Sequence, residues 1–275
     1  MKRDDKIDYA IFIISHGRPN VQKTYDFLTS KQCTKNTFIV CDDLDPTLNE
    51  YLANFGDRVI VFDKKKYMAT VDVFHNSPNP GHPVYVRNAV YDLAIERGFR
   101  FFVSLDDDMS AVRIRTAKAE RGTEYVDEVF QSVFRFMRDA GLYVYGGAWN
   151  SCFYGGFADE IIFGGVNAYF CDTQRRVDFK CQYNEDTIVP LMYNKVGKMI
   201  CTTCHLHFYF QTDGQNEGGI EYTGIAGERY KFSIGTFIGD PAQIKITYKS
   251  PVDIPISKSK YAHPMILSEK WRKPR

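Results

Sequence analysis

The chain has 275 residues, of which 44% are hydrophobic and 25% are charged, and this is the usage of an ordinary folded domain. Its 35 basic and 34 acidic residues leave a formal net charge of +1, which excludes a protein that is basic all over but leaves room for a local basic groove. No apolar run reaches the roughly 18 residues that cross a bilayer, and the charged N-terminus shows no signal peptide, so we expect a cytoplasmic protein without a membrane anchor.

The first half of the chain alternates between strand-like and helix-like segments. Short apolar runs predict buried strands at residues 9–14, 38–40, 59–62 and 101–105, and amphipathic segments predict helices at 21–30, 48–55, 84–97 and 124–139, the last capped by Thr123. Such alternation builds a parallel sheet with right-handed crossovers. The sequence therefore predicts an α/β fold with a mainly parallel central sheet flanked by helices.

The second half of the chain has a different texture. Glycine pairs at 146–147, 155–156 and 164–165 separate short aromatic segments, which predicts antiparallel hairpins. A helix is predicted at 185–196 and a long strand at 198–211. We expect one domain over residues 1–275, in which 1–140 form one half and 141–275 form the other, ending in a basic tail.

Seven cysteines are scattered through apolar stretches. An odd number without a regular spacing predicts reduced, mostly buried thiols and not a disulfide framework. Cys201 and Cys204 precede His205 and His207 in a way that suggests zinc ligands, but no second Cys/His pair with the right spacing follows. The interpretation as strand core is favoured for this segment.

Three consecutive aspartates, Asp106, Asp107 and Asp108, directly follow the predicted strand at 101–105. Ligands of an open parallel sheet lie at the carboxyl ends of its strands, and adjacent carboxylates there are unfavourable unless a cation compensates them. Oxygen ligands select Mg²⁺ or Mn²⁺, ions that proteins usually share with substrate phosphates. A helix cap or a solvated turn is the alternative for such a cluster.

The order of these motifs resembles that of a known enzyme class. Residues 82–90, with Arg87 and Asn88 on a helix, are followed by a strand that runs into the triple aspartate, and this arrangement resembles the GT-A glycosyltransferases with their DxD motif. Residues 13–19 are similar to the first strand and nucleotide loop of these enzymes. The resemblance covers the first half and scattered points of the second. It implies a nucleotide-diphospho-sugar transferase fold, hexosyl- or pentosyltransferase activity, Mn²⁺ or Mg²⁺, and a nucleotide-sugar donor, with a UDP-linked sugar favoured. Residues 1–140 would then bind the donor and residues 141–275 the acceptor.

By this resemblance, Asp106 and Asp108 would hold the metal and the diphosphate, and Asp107 would reach the ribose or the sugar. The other donor contacts would come from Ser15, Arg18, Asp42, Asp43 and Arg87. For Asp42 and Asp43 a cap or turn is an equal alternative, and Arg87 fits a surface ion pair as well.

The pair Glu185 and Asp186 occupies the place of a Glu-Asp pair in GT-A enzymes. Inverting members use one carboxylate there as the general base, and we assign this role to Asp186 with Glu185 as the substitute. An ordinary helix start is the alternative, because acidic residues favour the helix N-terminus. A late histidine often completes the metal site in the family. Of the candidates His205, His207 and His263, we take His207 as the prediction.

The chain also resembles the compact glycosyltransferases of bacteriophages, including the group associated with TET-like oxygenases. That resemblance implies action in the host cytoplasm on hydroxymethylated pyrimidines of DNA, such as hydroxymethylcytosine. Basic segments that suit phosphates lie at 64–66, 113–121 and 270–275. Two alternatives remain: a sugar-phosphate nucleotidyltransferase, and a non-catalytic binding module of the same fold. The sequence leaves open the sugar, the nucleotide, the anomeric outcome and the oligomeric state.

Overall fold

A computed structural model describes residues 6–76, 78–116, 119–148, 161–162, 168–182, 185–210, 238–239, 241, 244–246 and 265–267. The strands are β1 (Tyr9–Ile14), β2 (Thr37–Asp42), β3 (Val59–Phe62), β4 (Phe101–Asp106), β5 (Met109–Arg115), β6 (Glu120–Gly122), β7 (Val144–Ala148), β8 (Ile161–Ile162), β9 (Tyr169–Asp172), β10 (Ile200–Phe210), β11 (Ile244–Ile246) and β12 (Met265–Leu267). The helices are α1 (Lys23–Ser30), α2 (Leu48–Phe55), α3 (Lys64–Thr70), α4 (Val84–Glu96), α5 (Val126–Ala140) and α6 (Glu185–Asn194).

Ten of these strands form one sheet in the order β3–β2–β1–β4–β9–β7–β10–β5–β6, with β8 paired to β10. The first four strands in that order are parallel. Beyond them β9 is antiparallel to both of its neighbours, β7 and β10 are parallel, and β5 is antiparallel to β10 and β6. The predicted α/β fold is confirmed, with a parallel first half and a mixed second half.

Helices cover both faces of the parallel strands. Along β1, Ile11 and Ile13 pack in the core cluster that contains Phe134 of α5, whereas Phe12 packs in the cluster that contains Tyr91 of α4. All six residues of β1 are buried. This two-sided burial explains why the strand is a continuous apolar run without alternation.

The elements that were not predicted from the sequence include α3 and β5. The basic segment 64–66 is the first turn of α3, capped by Asp63, whose Oδ1 accepts a hydrogen bond from Lys66 N at 3.0 Å. The basic residues Arg113 and Arg115 lie on β5, a strand that begins directly after the triple aspartate. In both segments the charged residues do not show the apolar pattern by which a helix or a strand is predicted, so these two elements were recognised only in the structure.

The glycine pair 146–147 lies inside β7, paired on both sides, so this pair does not separate two strands. The pairs at 155–156 and 164–165 lie outside the described residues. Thr123 is not the cap of α5, which begins at Val126; its Oγ1 instead accepts a hydrogen bond from Tyr125 N in the preceding turn.

The two predicted halves of the chain share one sheet. Strand β5, from residues 1–140, pairs with β10 from residues 141–275, and β6 pairs with the other side of β5. The cysteines whose burial the structure describes are all buried: Cys33, Cys41, Cys171, Cys181 and Cys201. None of the described helices is both long enough and apolar enough to cross a membrane.

Candidate functional site

The triple aspartate lies where β4 ends, beside the loop that follows β1. Asp106 is the last residue of β4 and pairs in register with Ile14. In the loops beyond this pair, Ser15 Oγ donates to Asp107 Oδ2 at 2.5 Å, and Arg18 Nη1 donates to Asp107 Oδ1 at 2.7 Å. The parallel register thus brings together three residues that were predicted for the donor site.

Asp107 differs from its two neighbours in exposure. It is buried, and burial raises its pKa, although the contacts with Arg18 and Ser15 act in the opposite direction. The Asp106 side chain is 42% exposed and Asp108 is partly exposed. Asp107 is therefore bound to the loop after β1, whereas Asp106 and Asp108 remain partly exposed at the end of β4.

The donor set at this edge fits a hard divalent cation. Asp106 and Asp108 supply carboxylate oxygens only, and Mg²⁺ in particular is commonly held by one or two carboxylates together with substrate phosphates. In the described part of the chain, no group of three or more His, Cys, Asp or Glu side chains is arranged to hold a metal ion. The described protein groups at this edge that suit such a cation are thus the two carboxylates of Asp106 and Asp108.

Thr24, on α1, holds the backbone of the aspartate segment. Its hydroxyl donates to the carbonyl oxygen of Asp106 and accepts from Met109 N at 2.9 Å, and its backbone N–H donates to the carbonyl oxygen of Asp107 at 3.0 Å. Thr24 is fully buried. These three bonds fix the turn between β4 and β5 and so set the directions of the aspartate side chains.

The end of β2 contributes a second charged group. Asp42 is buried and lies 2.9 Å from His16 Nδ1 and 3.0 Å from Lys64 Nζ. Burial raises the pKa of Asp42, but hydrogen bonds from His16 and Lys64 outweigh burial and the net pKa is lowered. Asp43 is exposed, and its Oδ1 accepts from Lys64 N at 2.9 Å. These bonds link the end of β2 to the loop after β1 and to the start of α3.

The loop after β1 is shaped by side chains from the segment after β2. Asp45 Oδ2 accepts from Gly17 N at 2.8 Å, and the hydroxyl of Tyr51 accepts from Arg18 N at 2.8 Å and lies 2.6 Å from Ser15 Oγ. Gly17 has φ +70°, a left-handed conformation that glycine adopts without strain. The loop is therefore preorganised at the strand edge.

Arg87, on α4, links the triple aspartate to the second predicted cluster. Its Nη2 lies 3.6 Å from Asp106 Oδ1, its Nε lies 3.4 Å from Glu185 Oε1, and its guanidinium carbon lies 4.2 Å from the ring centre of Tyr169. The Arg87 side chain is only 7% exposed. Burial lowers the pKa of Arg87, but Tyr169 and the surrounding carboxylates raise it by more than burial lowers it. The net pKa is therefore raised and Arg87 stays charged.

Glu185 and Asp186 begin α6 and have different surroundings. Glu185 is buried between Arg87 and His82, whose Nε2 lies 3.8 Å from Glu185 Oε2. Asp186 is partly exposed. Burial raises the pKa of Asp186 to about 7, and the neighbouring charge of Glu185 adds to the rise, whereas Arg87 lowers it. Asp186 thus combines access with a pKa suited to proton transfer near neutral pH.

His207 lies in a different part of the sheet. It is buried, pairs with Arg113 of β5, and its Nδ1 is 3.4 Å from Glu120 Oε1. Arg113 is four positions beyond Met109, which is ~13 Å along a strand. Burial lowers the pKa of His207 more than Glu120 raises it. The structure therefore does not bring His207 to the end of the triple aspartate as the metal prediction requires.

His205 is exposed on β10, and its Nδ1 lies 3.2 Å from the carbonyl oxygen of Arg115. Three other predicted features fall outside the described residues, namely His263, Lys118 of the basic segment 113–121, and the tail 270–275.

The site also contains residues for which the sequence indicated no role. They are His16, Thr24, Asp45, Tyr51, His82 and Tyr169. Of these residues only Thr24 has a feature in the sequence that could have indicated its role, because it is a polar residue at a helix position expected to be buried. That feature does not show which groups Thr24 binds.

Comparison with known proteins found a family match. A family model described as TET-Associated Glycosyltransferase matches residues 9–219, a span that includes β1, the triple aspartate and the start of α6. A search of curated proteins found no match.

A search of solved structures found similar chains at low sequence identity. Glucosyl-3-phosphoglycerate synthase from Mycobacterium tuberculosis is 11% identical with a TM-score of 0.49, covering 89% of this chain and 85% of that one. A complex of the same synthase with Mn²⁺, UDP-glucose and phosphoglyceric acid is also 11% identical with a TM-score of 0.48, covering 89% and 84%. CMP:2-keto-3-deoxy-manno-octonic acid synthetase with CTP is 13% identical with a TM-score of 0.43, covering 71% and 88%.

Proposed function

The chain belongs to the TET-associated glycosyltransferase family, and from this membership we propose that it transfers a sugar from a nucleotide-sugar to a hydroxyl group that Asp186 deprotonates. One observation carries the assignment of residues. Arg87 lies within ion-pair distance of both Asp106 and Glu185, so the donor-side aspartates and the carboxylate pair of α6 border the same site.

On the donor side, Asp106 and Asp108 would hold a divalent cation, Mn²⁺ or Mg²⁺, and through it the diphosphate. When bound, such a cation neutralises the diphosphate and the charge that develops on it as it leaves. His207 is not part of this set, because it lies beside Arg113 on β5. The loop after β1, with Ser15 and Arg18, and the end of β2, with Asp42 and Asp43, would border the nucleoside. The UDP-linked sugar remains the first donor to test.

In the transfer step, the proton of the acceptor hydroxyl passes to the carboxylate of Asp186. The hydroxyl oxygen forms a bond to the anomeric carbon, the bond from that carbon to the phosphate oxygen breaks with its electron pair, and the nucleoside diphosphate leaves. A single displacement of this kind inverts the anomeric configuration. Asp186 is preferred over Glu185 because Glu185 is buried against Arg87 and His82 whereas Asp186 is partly exposed.

We further propose that the acceptor is a hydroxymethylated pyrimidine in DNA. The support from the molecule is a basic edge of the sheet. Arg113 and Arg115 lie on β5, and Arg121 lies on the neighbouring β6. Arg113 also stacks on Tyr209, with 4.1 Å between the guanidinium carbon and the ring centre. Arginine beside an aromatic ring suits a phosphate backbone and its bases. In this scheme the single domain keeps a donor half at 1–140 and an acceptor half at 141–275, with β5 and β6 extending the acceptor side.

The donor assignment is tested by thermal shift with UDP-, GDP-, ADP- and CDP-sugars, each with and without Mn²⁺. We expect stabilisation by one nucleotide-sugar that depends on Mn²⁺ and is absent in Asp108→Asn. If the nucleotide-sugar with Mn²⁺ stabilises Asp108→Asn as much as the unchanged protein, the assignment of Asp108 as a metal ligand is wrong.

The acceptor assignment is tested with that donor and two DNA duplexes that differ only in hydroxymethylcytosine against cytosine. We expect a mass increase of one sugar on the hydroxymethylated duplex alone. If the sugar is transferred to a small sugar or a protein and neither duplex is modified, the assignment as a glycosyltransferase stands and the assignment of DNA as the acceptor is wrong. Family membership already sets aside the nucleotidyltransferase and the non-catalytic interpretations.

A further inference from the structure

The guanidinium group of Arg87 is a buried positive charge that is largely shielded from solvent. Its side chain is 7% exposed, and its Nε and Nη1 atoms are buried without a hydrogen-bond acceptor of their own among the described residues. Buried guanidinium groups are unfavourable unless neighbouring charges or rings compensate them. Tyr169, Asp106 and Glu185 supply that compensation. The described charge partners of Arg87 are thus protein groups, and its small exposed fraction contrasts with the 42% exposure of the Asp106 side chain.

We infer that Arg87 is a positioning residue that acts through Glu185: with His82 it fixes Glu185 as a held anion and leaves Asp186 as the single carboxylate that meets the acceptor. The inference rests on the proposed function and changes the role expected of Arg87 from the sequence, which was a contact with the nucleotide or its phosphates.

His82 contributes through a fixed tautomer. Val84 N donates to His82 Nδ1 at 3.2 Å, so Nδ1 is the acceptor nitrogen of the ring. Burial lowers the pKa of His82 more than Glu185 raises it, so the ring is neutral and its proton is on Nε2. That N–H lies on the side of the ring that is 3.8 Å from Glu185 Oε2. Glu185 thus has a positive group on one side and an N–H dipole on the other.

The consequence for Asp186 follows from charge. Asp186 is next to the anion Glu185 and within the field of Arg87, with His82, Asp106 and Tyr169 as the other ionisable groups around this cluster. An opposite charge favours the ionised form of a carboxylate, and Arg87 acts in this direction on Asp186. Removing Arg87 therefore raises the pKa of Asp186, and each unit lowers the deprotonated fraction about tenfold at a pH below that pKa.

The experiment compares Arg87→Met and Arg87→Lys by the pH dependence of transfer between about pH 5.5 and 9, together with the affinity for UDP in the presence of Mn²⁺. For Arg87→Met we expect the midpoint of the rising limb to move up by about 1 unit or more and kcat near neutral pH to fall about tenfold. UDP affinity should change by less than about threefold. Arg87→Lys keeps the charge, so its midpoint should stay nearer to that of the unchanged protein.

Two further variants separate this role from a loss of stability. His82→Asn keeps an acceptor for Val84 N, because asparagine caps helices in the same way, but its side chain is too short to reach Glu185; we expect a smaller change in the same direction. Arg100→Met is the matched control at the opposite end of β4, where Arg100 stacks 4.7 Å from the ring centre of Phe101 and pairs with Asp172. It should lower the melting temperature and leave the midpoint unchanged.

Three results would overturn the inference: an unchanged midpoint in Arg87→Met, an equal shift in Arg87→Met and Arg87→Lys, or a loss of UDP affinity as large as the loss of kcat. If Arg87→Met does not fold, Arg87→Lys and His82→Asn decide. If the unchanged protein transfers sugar from no donor, the proposed function fails by itself. A double-mutant cycle on thermal stability with Arg87→Met and Glu185→Gln then still tests the contact, and additive losses would contradict it.

Discussion

Replacing Thr24 by valine removes one hydroxyl from beneath the triple aspartate and keeps the shape of the side chain. The hydroxyl is the partner of the Asp106 carbonyl and of Met109 N, and Thr24 is fully buried, so water cannot replace it without moving α1. A buried polar group left without a partner costs about 1–3 kcal/mol. With two groups affected, and with about 0.8 kcal/mol regained from the added apolar carbon, we expect a loss of about 2–4 kcal/mol.

The measurement is thermal unfolding of Thr24→Val beside Thr24→Ser. A loss of about 2–4 kcal/mol corresponds to roughly 5–15 °C in melting temperature for a chain of this size. Thr24→Ser keeps the hydroxyl and loses only a methyl group, which costs about 1 kcal/mol. Because the same bonds orient Asp106, Thr24→Val should also show a weaker Mn²⁺-dependent stabilisation by UDP than Thr24→Ser.

Two outcomes would refute this reasoning. A melting temperature of Thr24→Val within about 1 °C of the unchanged protein would mean that the two backbone groups find other partners. Equal losses in Thr24→Ser and Thr24→Val would mean that the methyl group and not the hydroxyl matters at this position.

Three other predictions concern the site. His207→Gln should keep the Mn²⁺-dependent stabilisation by nucleotide that Asp108→Asn loses, since His207 pairs with Arg113 on β5; a parallel loss in thermal shift would restore His207 to the metal site. The transfer rate should rise with pH through about 7 and then level off, because Asp186 acts as a base only above its raised pKa, and a flat profile measured at saturating donor would remove Asp186 from this role. Arg113→Gln or Arg115→Gln removes a positive charge and should weaken DNA binding. The slope of log Kd against log salt concentration should fall by about 0.9 for each phosphate that the protein no longer neutralises. An unchanged slope in fluorescence anisotropy would mean that DNA binds elsewhere on the protein.

The parallel half of the fold and the place of the aspartates followed from the sequence alone. The six apolar residues of β1 are buried on both faces, and an uninterrupted apolar run is the local signature of such a strand. The carboxyl ends of parallel strands meet at one edge, so a polar loop after β1 and the three aspartates at the end of β4 were expected at the same edge. The register confirms this, with Ile14 opposite Asp106.

The second half of the sheet could not be ordered from the sequence in the same way. Strand β10 is parallel to β7 and antiparallel to β5, and residues 116–199 separate β5 from β10 along the chain. Pairings of this kind depend on which side chains fill the two cores and not on any local period. For the same reason, the basic residues Arg113 and Arg115 were predicted as a charged segment, without the strand that carries them.

Only the tertiary structure decided what each charged residue contacts. The sequence placed Asp107, Arg18 and Ser15 in one site, but the finding that they bind one another comes from the geometry. It likewise could not show that Arg87 is buried between Asp106 and Glu185. The physical reason is that the type of a residue determines which charge it can carry and which hydrogen bonds it can form. Its burial and its distances to other groups determine its pKa and its partners, and these are properties of the packed chain.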